Sequence, residues 1–257
     1  MGALEGRHAL ITGGGTGIGG AIAQVLGAEG ARLSIAGRRR APLEATAARF
    51  AGTCVIEADV TREAACTAMI ESAHAAHGPI DIVIANAGAA ESRPLARCDL
   101  DHWRRMLDVN LTGAFLTVKA ALPDLVRPGS VDGGRRIVLV SSTAGLKGYP
   151  YVAAYCAAKH GVVGLARAMA VELARTGVTV NAVCPGFTET PLLDQSIANI
   201  VAKSGRSADD ARATLAAGNP QGRFVQPEEV AASVLWLCLS ASASVTGQAI
   251  SISGGEV

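Results

Sequence analysis

The sequence carries almost no net charge: 23 Lys and Arg stand against 22 Asp and Glu, a formal +1 over 257 residues. A dedicated nucleic-acid binder carries a basic surplus, so that class is not expected. There is no run of about 18 or more apolar residues, which predicts no membrane span. The opening residues, M-G-A-L-E-G-R-H, hold no apolar stretch of a secretory signal. Gly6 stands where a myristoylation motif has Ser or Thr. None of the six cysteines (Cys54, Cys66, Cys98, Cys156, Cys184 and Cys238) forms C-x-x-C. Their mostly apolar surroundings suit reduced thiols in a cytoplasmic protein. Cys156, beside Tyr155, reads as a small packing residue rather than a reactive thiol. The five histidines have no metal-like spacing to Cys, Asp or Glu, so no metal is expected.

What is present is apolar and patterned. Hydrophobic residues are 49% and charged residues 18%, enough for a large core and against disorder. Apolar runs of strand length fall at residues 8–12, 32–36, 53–56, 80–85, 136–141, 178–183 and 249–252. Ala-rich segments of helical spacing separate most of them. Strands alternating with helices predict βαβ units, a parallel sheet and right-handed crossovers. No linker, low-complexity run or repeat divides the chain, so residues 1–257 read as one α/β domain. Residues 127–135, R-P-G-S-V-D-G-G-R, read as a turn-rich connection. Residues 100–122 read as one long helix closed by Pro123 and Pro128, with Trp103, Met106, Leu107 and Asn110 on one face. Residues 227–239 read as another helix. Before it, residues 186–223 form a long excursion, which predicts a mobile substrate lid.

Two stretches carry chemistry. The first strand runs into T-G-G-G-T-G-I-G, Thr12 to Gly19, and then into an amphipathic helix. Gly13 can take the positive φ of a tight turn, Gly17 allows backbone to approach a pyrophosphate, and Gly19 allows close helix–strand packing. Helix N–H groups then meet the anion. Gly13, Gly15, Thr16, Gly17, Ile18 and Gly19 are thus candidate dinucleotide contacts. At the end of the second strand, A-G-R-R-R, Gly37 occupies the place where NAD binders put an acid. Arg38 follows, then Arg39. A planar, charged guanidinium suits a ribose 2′-phosphate, so NADP(H) is expected over NAD(H). Arg40 reads as a solvated helix start.

The second stretch is S-T-A-G-L-K-G-Y-P-Y-V-A-A-Y-C-A-A-K, Ser142 to Lys159. A helix over residues 152–175 would place Tyr155 and Lys159 on one face. The ammonium is expected to draw the phenol below its ordinary pKa of about 10. Ser142 could hydrogen-bond a substrate oxygen while Tyr155 exchanges a proton with it. Ser141 is the rival serine. Tyr149 and Tyr151 have no lysine four residues on and read as pocket wall or packing.

Together these motifs resemble the short-chain dehydrogenase/reductase family, over essentially the whole chain. The resemblance continues through A-D-V at 58–60, A-N-A-G at 85–88, V-N-L-T-G at 109–113, V-S-S at 140–142, Y-C-A-A-K at 155–159, V-N-A-V-C-P-G at 180–186 and the tail from Thr246 to Gly255. Ala85 is a mild departure, since many relatives have a second Asn there. The resemblance implies a Rossmann-type doubly wound domain with a seven-stranded parallel sheet and helices on both faces, commonly a homotetramer. It implies that Asp59 and Val60 hold the adenine, and that Asn86, Ala87 and Gly88 line the cofactor groove. Asn110 would hold a water in a proton relay. Ser142 would polarise the carbonyl, Tyr155 would be the acid/base, and Lys159 would bind the nicotinamide ribose and lower the tyrosine pKa. Pro185, Gly186 and Thr188 would seat the nicotinamide.

The reaction class so implied is hydride transfer between a nicotinamide and a carbonyl or secondary alcohol. The strings K-H-G-V-V-G, E-L-A-R-T-G and V-Q-P-E-E-V-A are similar to those of aromatic polyketide ketoreductases, 3-oxoacyl thioester reductases and 3-hydroxyacyl-CoA dehydrogenases. A 3-oxoacyl thioester is therefore the expected substrate. Lys203, Arg206, Arg212 and Arg223 could meet the phosphates of its carrier arm, or simply be solvated beside Asp209 and Asp210. A dehydrogenase of a free cyclic, steroid or aryl alcohol is the alternative, with Tyr149, Phe187, Leu192 and Leu193 as pocket wall. A non-catalytic dinucleotide sensor is the alternative of another class.

Overall fold

The computed structural model describes residues 2–129 and 134–257. The connection at 127–135 therefore lies partly outside the described residues. The chain forms a seven-stranded parallel sheet in the order β3-β2-β1-β4-β5-β6-β7. Its strands are β1 His8–Thr12, β2 Arg32–Gly37, β3 Cys54–Glu57, β4 Ile82–Ala85, β5 Arg136–Val140, β6 Thr179–Pro185 and β7 Ala249–Ile252. Every apolar run read as a strand is one, with ends moved by a residue or two. β1, β4, β5 and β6 are buried along their length, as strands covered on both faces must be.

Helices cover both faces. One layer holds α1 (Gly17–Ala28), α2 (Arg40–Ala47) and α9 (Pro227–Cys238), with α1 packed on α9. Its core joins Ile11, Ile22, Leu26, Ile35, Val230 and Leu237. The other layer holds α3 (Glu63–His77), α4 (Leu100–Leu107), α5 (Gly113–Leu125) and α6 (Ala153–Leu173). Its core joins Leu10, Met69, Val83, Leu139, Val162 and Val180. Strand order reverses between β1 and β4, and the crevice at the carboxyl ends of such strands is where open α/β sheets bind ligands.

Two expectations change. Residues 100–122 are not one regular helix: a π-helical turn, Asp108–Thr112, separates α4 from α5. Pro123 does not end α5 but lies inside its last turns. The π turn inserts an extra residue where Asn110 must face the site, and such bulges mark functional positions. Residues 186–223 are not an irregular excursion either. They fold into α7 (Pro191–Ser204) and α8 (Ala208–Ala216), each started by a hydroxyl cap, from Thr190 and Ser207. Leu193, Ile197, Ala211 and Phe224 give this insertion its own small core, so Leu193 is packing rather than pocket wall.

Candidate active site

The nucleotide end is a cavity of about 390 Å³ at the switch point. Gly13, Gly15, Thr16, Arg38, Arg39, Asp59, Val60, Ala87 and Gly88 line it, all expected from the sequence. Gly13 takes φ +66°, a left-handed conformation that costs glycine little. A Cβ at Gly19 would overlap the Gly13 carbonyl, so only glycine lets α1 start this close to β1. The first turn of α1 has no side-chain cap, so no capping side chain occupies its N–H groups. A Cβ at Gly17 would in addition meet the Thr190 side chain of the insertion.

Asn86 does not line this cavity. Its amide donates to the Thr12 carbonyl at 2.9 Å and the Gly13 carbonyl at 3.3 Å, bracing the glycine loop from behind. The Thr12 hydroxyl completes the brace by accepting from the Asn86 and Ala87 backbone. Pro42, Leu43 and Val109 also line the cavity and were not anticipated. Pro42 and Leu43 carry no motif and Val109 only opens one; the approach of α2 and the π turn puts them there.

The arginines separate by geometry. Arg38 and Arg39 face the cavity, whereas Arg40 pairs with Glu44 at 2.7 Å one helical turn on. Asp59 is held below the ordinary carboxylate range, chiefly by the Thr61 backbone and hydroxyl, with Arg38 and Arg62 contributing. The donor set therefore fits a dinucleotide: glycine backbone and a helix start for the pyrophosphate, and two guanidiniums at the adenosine end.

The catalytic end follows β5. Ser142 accepts from the Ala144 backbone at 3.1 Å and begins a short 3-10 turn, Thr143–Gly145. A Cβ at Gly145 would meet the Ser141 hydroxyl and the Lys159 carbonyl, so this glycine, missed in the sequence, lets the turn dock on α6. Ser141, the rival serine, is buried and donates to the Lys159 carbonyl at 2.9 Å. Tyr155 and Lys159 share the first turns of α6. The Lys159 ammonium donates to the Val140 carbonyl at 2.9 Å and stands 5.6 Å from the Tyr155 ring centroid.

The expected lowering of the tyrosine pKa is not met in this arrangement. Burial pushes Tyr155 up to about 12, against a hydrogen bond from Ser142 that lowers it. Burial likewise pulls Lys159 down to about 8. Each group is driven toward its neutral form because desolvation is the largest influence on it. Asn110 is buried; its amide donates to the Ala89 carbonyl at 2.8 Å and its oxygen accepts from the Ala89 backbone at 3.2 Å. Gly88 leaves room for it, since a Cβ there would meet Asn110 Oδ1 at 2.8 Å.

Beyond β6, Gly186 donates its N–H to the Ile252 carbonyl and Thr188 bridges to Val225. Phe187 meets Tyr149 edge to face, centroids 6.2 Å apart. Leu192 is exposed at the start of α7. Tyr151 is exposed too, and is the one non-glycine residue with positive φ (67°) among those described.

The family described as Enoyl-(Acyl carrier protein) reductase matches residues 13–256. A protein of Streptomyces coelicolor named as a ketoacyl reductase is 38% identical over 99% of this chain and 98% of its own length. The chain belongs to the short-chain dehydrogenase/reductase family. A cis-4-hydroxycyclohexanecarboxylate dehydrogenase of Sinomonas cyclohexanicum is 40% identical, covering 97% of this chain and 96% of that one. Among solved structures, an actinorhodin polyketide ketoreductase variant with NADPH superposes with a TM-score of 0.91 at 36% identity, covering 97% of each chain. This short-chain dehydrogenase/reductase is therefore an oxidoreductase acting between carbonyl and secondary alcohol with a nicotinamide cofactor, not a sensor without chemistry.

Proposed function

We propose that the chain is an NADP(H)-dependent ketoreductase of a 3-oxoacyl thioester. The observation that carries it is the pairing of Arg38 and Arg39 at the adenosine end with a Ser142, Tyr155 and Lys159 constellation whose tyrosine is held protonated. A phenol pushed up to about 12 is a proton donor at neutral pH, the role a carbonyl reduction needs. Nicotinamide supplies the hydride when bound. Ser142 hydrogen-bonds the carbonyl oxygen, Tyr155 delivers the proton to it, Lys159 holds the ribose, and Asn110 holds a water behind Lys159. Asp59 and Val60 hold the adenine; Pro185, Gly186 and Thr188 seat the nicotinamide; Tyr149, Phe187 and Leu192 wall the substrate. The thioester rests on similarity to ketoacyl and polyketide ketoreductases.

One observation favours the second reading, a free cyclic ketone or secondary alcohol. Arg212 is paired with Glu189 and Asp194, and Arg223 makes two 2.7 Å contacts to Glu229. Neither is idle for a phosphate arm. The Lys203 side chain lies outside the described residues. The protein is proposed to be a cytoplasmic homotetramer, with exposed Phe115, Val171 and Trp236 as apolar contacts for other subunits; light scattering on the purified protein tests this. The deciding assay follows nicotinamide absorbance with acetoacetyl-CoA and with a bulky cyclic ketone, each with NADPH and NADH. Fast thioester turnover with NADPH supports the proposal. Turnover of the ketone alone assigns the second reading, and a preference for NADH removes the role given to Arg38.

A further inference from the structure

Beside the proposed catalytic serine lies an ionic pair, its carboxylate buried and its ammonium partly exposed, that the reaction just described does not use. The Glu256 side chain is only 3% exposed, although it follows the last strand. One of its oxygens lies 3.0 Å from the Lys147 ammonium and accepts from the Tyr149 phenol at 2.5 Å. Tyr149 is also 2.7 Å from the hydroxyl of Thr143, the residue after Ser142. The other oxygen of Glu256 lies against Gly186, 3.3 Å from where a Cβ would stand. Lys147 stacks over the Tyr149 ring at 5.1 Å, and Phe187 closes that ring from the side. The carboxylate thus sits between the loop that carries Ser142 and the loop that leaves β6, the two segments flanking the carbonyl site.

Burying a carboxylate is costly unless it is paired and hydrogen-bonded. Here both conditions are met: Tyr149 is a proposed residue of the substrate wall, and Lys147 stacks over its ring. Burial and Glu256 push the Tyr149 phenol up, so it remains a donor committed to that carboxylate. Lys147 is the cation on the Ser142 loop, and Glu256 cancels it. Without that cancellation, a cation on this loop would attract an anion placed next to the reacting carbonyl.

We propose that Glu256 is a specificity-determining residue. It neutralises Lys147 at the wall of the substrate pocket, so the site accepts carbonyl compounds whose flank is uncharged, such as 3-oxo thioesters, 3-oxo esters and cyclic ketones, and turns away 3-oxo carboxylates. This deepens the ketoreductase reading and rests on it.

The test compares acetoacetate with methyl acetoacetate, using NADPH, in the wild type and in Glu256→Gln. The amide keeps the shape and loses the charge. The expected result is a shift of kcat/KM toward acetoacetate, relative to the ester, by about tenfold or more, carried by KM. Glu256→Asp should keep the wild-type preference, and adding Lys147→Gln to Glu256→Gln should erase the gain. A ratio unchanged within about twofold in Glu256→Gln, with NADPH binding intact, overturns the proposal. If Glu256→Gln fails to fold, Lys147→Gln alone serves: it should lower acetoacetate turnover more than ester turnover, and equal effects overturn it. If the wild type reduces no ketone, the ketoreductase reading fails separately. Calorimetric titration of 3-hydroxybutyrate into the NADP-loaded proteins then decides: tighter binding by Glu256→Gln supports the role of Glu256, and equal binding ends it.

Discussion

The nucleotide end and the substrate end of the cleft are held by different means. At the nucleotide end, short segments at the carboxyl ends of neighbouring strands come together. The Thr12–Gly19 turn, the end of β2 and the Asp59 turn follow from adjacent strands, and backbone closes the site. Side chains such as Asn86 and Thr12 brace that backbone and do not face the cavity. At the proposed substrate end, side chains from remote segments meet: Tyr149 from the loop after β5, Phe187 after β6, and Glu256 after β7. Local geometry makes the first end rigid and readable. The second depends on long-range contacts, which is where specificity can change without disturbing the fold.

The sharpest break of this comparison is Tyr155→Phe. Turnover should fall by about a thousandfold, while NADPH affinity measured by fluorescence stays within about twofold. Loss of both together would mean that the two ends are not separable. Next is acid stability, which should reside in the nucleotide half. His8 is buried between the Gly78 carbonyl and the Ser34 hydroxyl, and desolvation lowers its pKa to about 4. The unfolded chain binds this proton more readily. Stability is therefore complete above a pH of about 6.5 and falls as pH drops toward about 4, by on the order of 3 kcal/mol. Thermal unfolding against pH should show this limb, and His8→Gln should flatten it.

A smaller effect tests the arginines. Arg38→Asp should weaken NADPH by about 10- to 100-fold and NADH far less. Equal weakening of both would remove the 2′-phosphate assignment. The smallest effect is expected at Arg40→Ala, because that guanidinium is turned to Glu44. NADPH affinity there should change by less than about twofold, and a larger loss would show that the whole basic run, rather than Arg38 and Arg39, reads the nucleotide.

Much of this was legible because it is local. The strands at 8–12 and 249–252 were located to the residue, since a short apolar run between turn signals permits little else. Ser142, Tyr155 and Lys159 were found by spacing along one loop and one helix face. The π turn at Asp108–Thr112 was not found, because its signal is an extra residue in an otherwise helical pattern. The burial that pushes the Tyr155 phenol up has no local signal, because spacing reveals a neighbouring charge and not desolvation. The helices of the insertion were hidden in an Ala-rich polar stretch whose apolar partners, Phe187 and Phe224, lie at its two ends.

The sequence by itself determined the alternation of strands and helices, the glycine loop and the serine, tyrosine and lysine of the catalytic end, because each is a pattern within a few residues or one helical face. Only the tertiary structure decided that Asn86 braces the glycine loop, that Arg40 pairs with Glu44 instead of lining the cavity, and that Glu256 reaches Lys147 and Tyr149. Those outcomes depend on which groups desolvate one another, and burial is a property of the packed chain rather than of any segment of it.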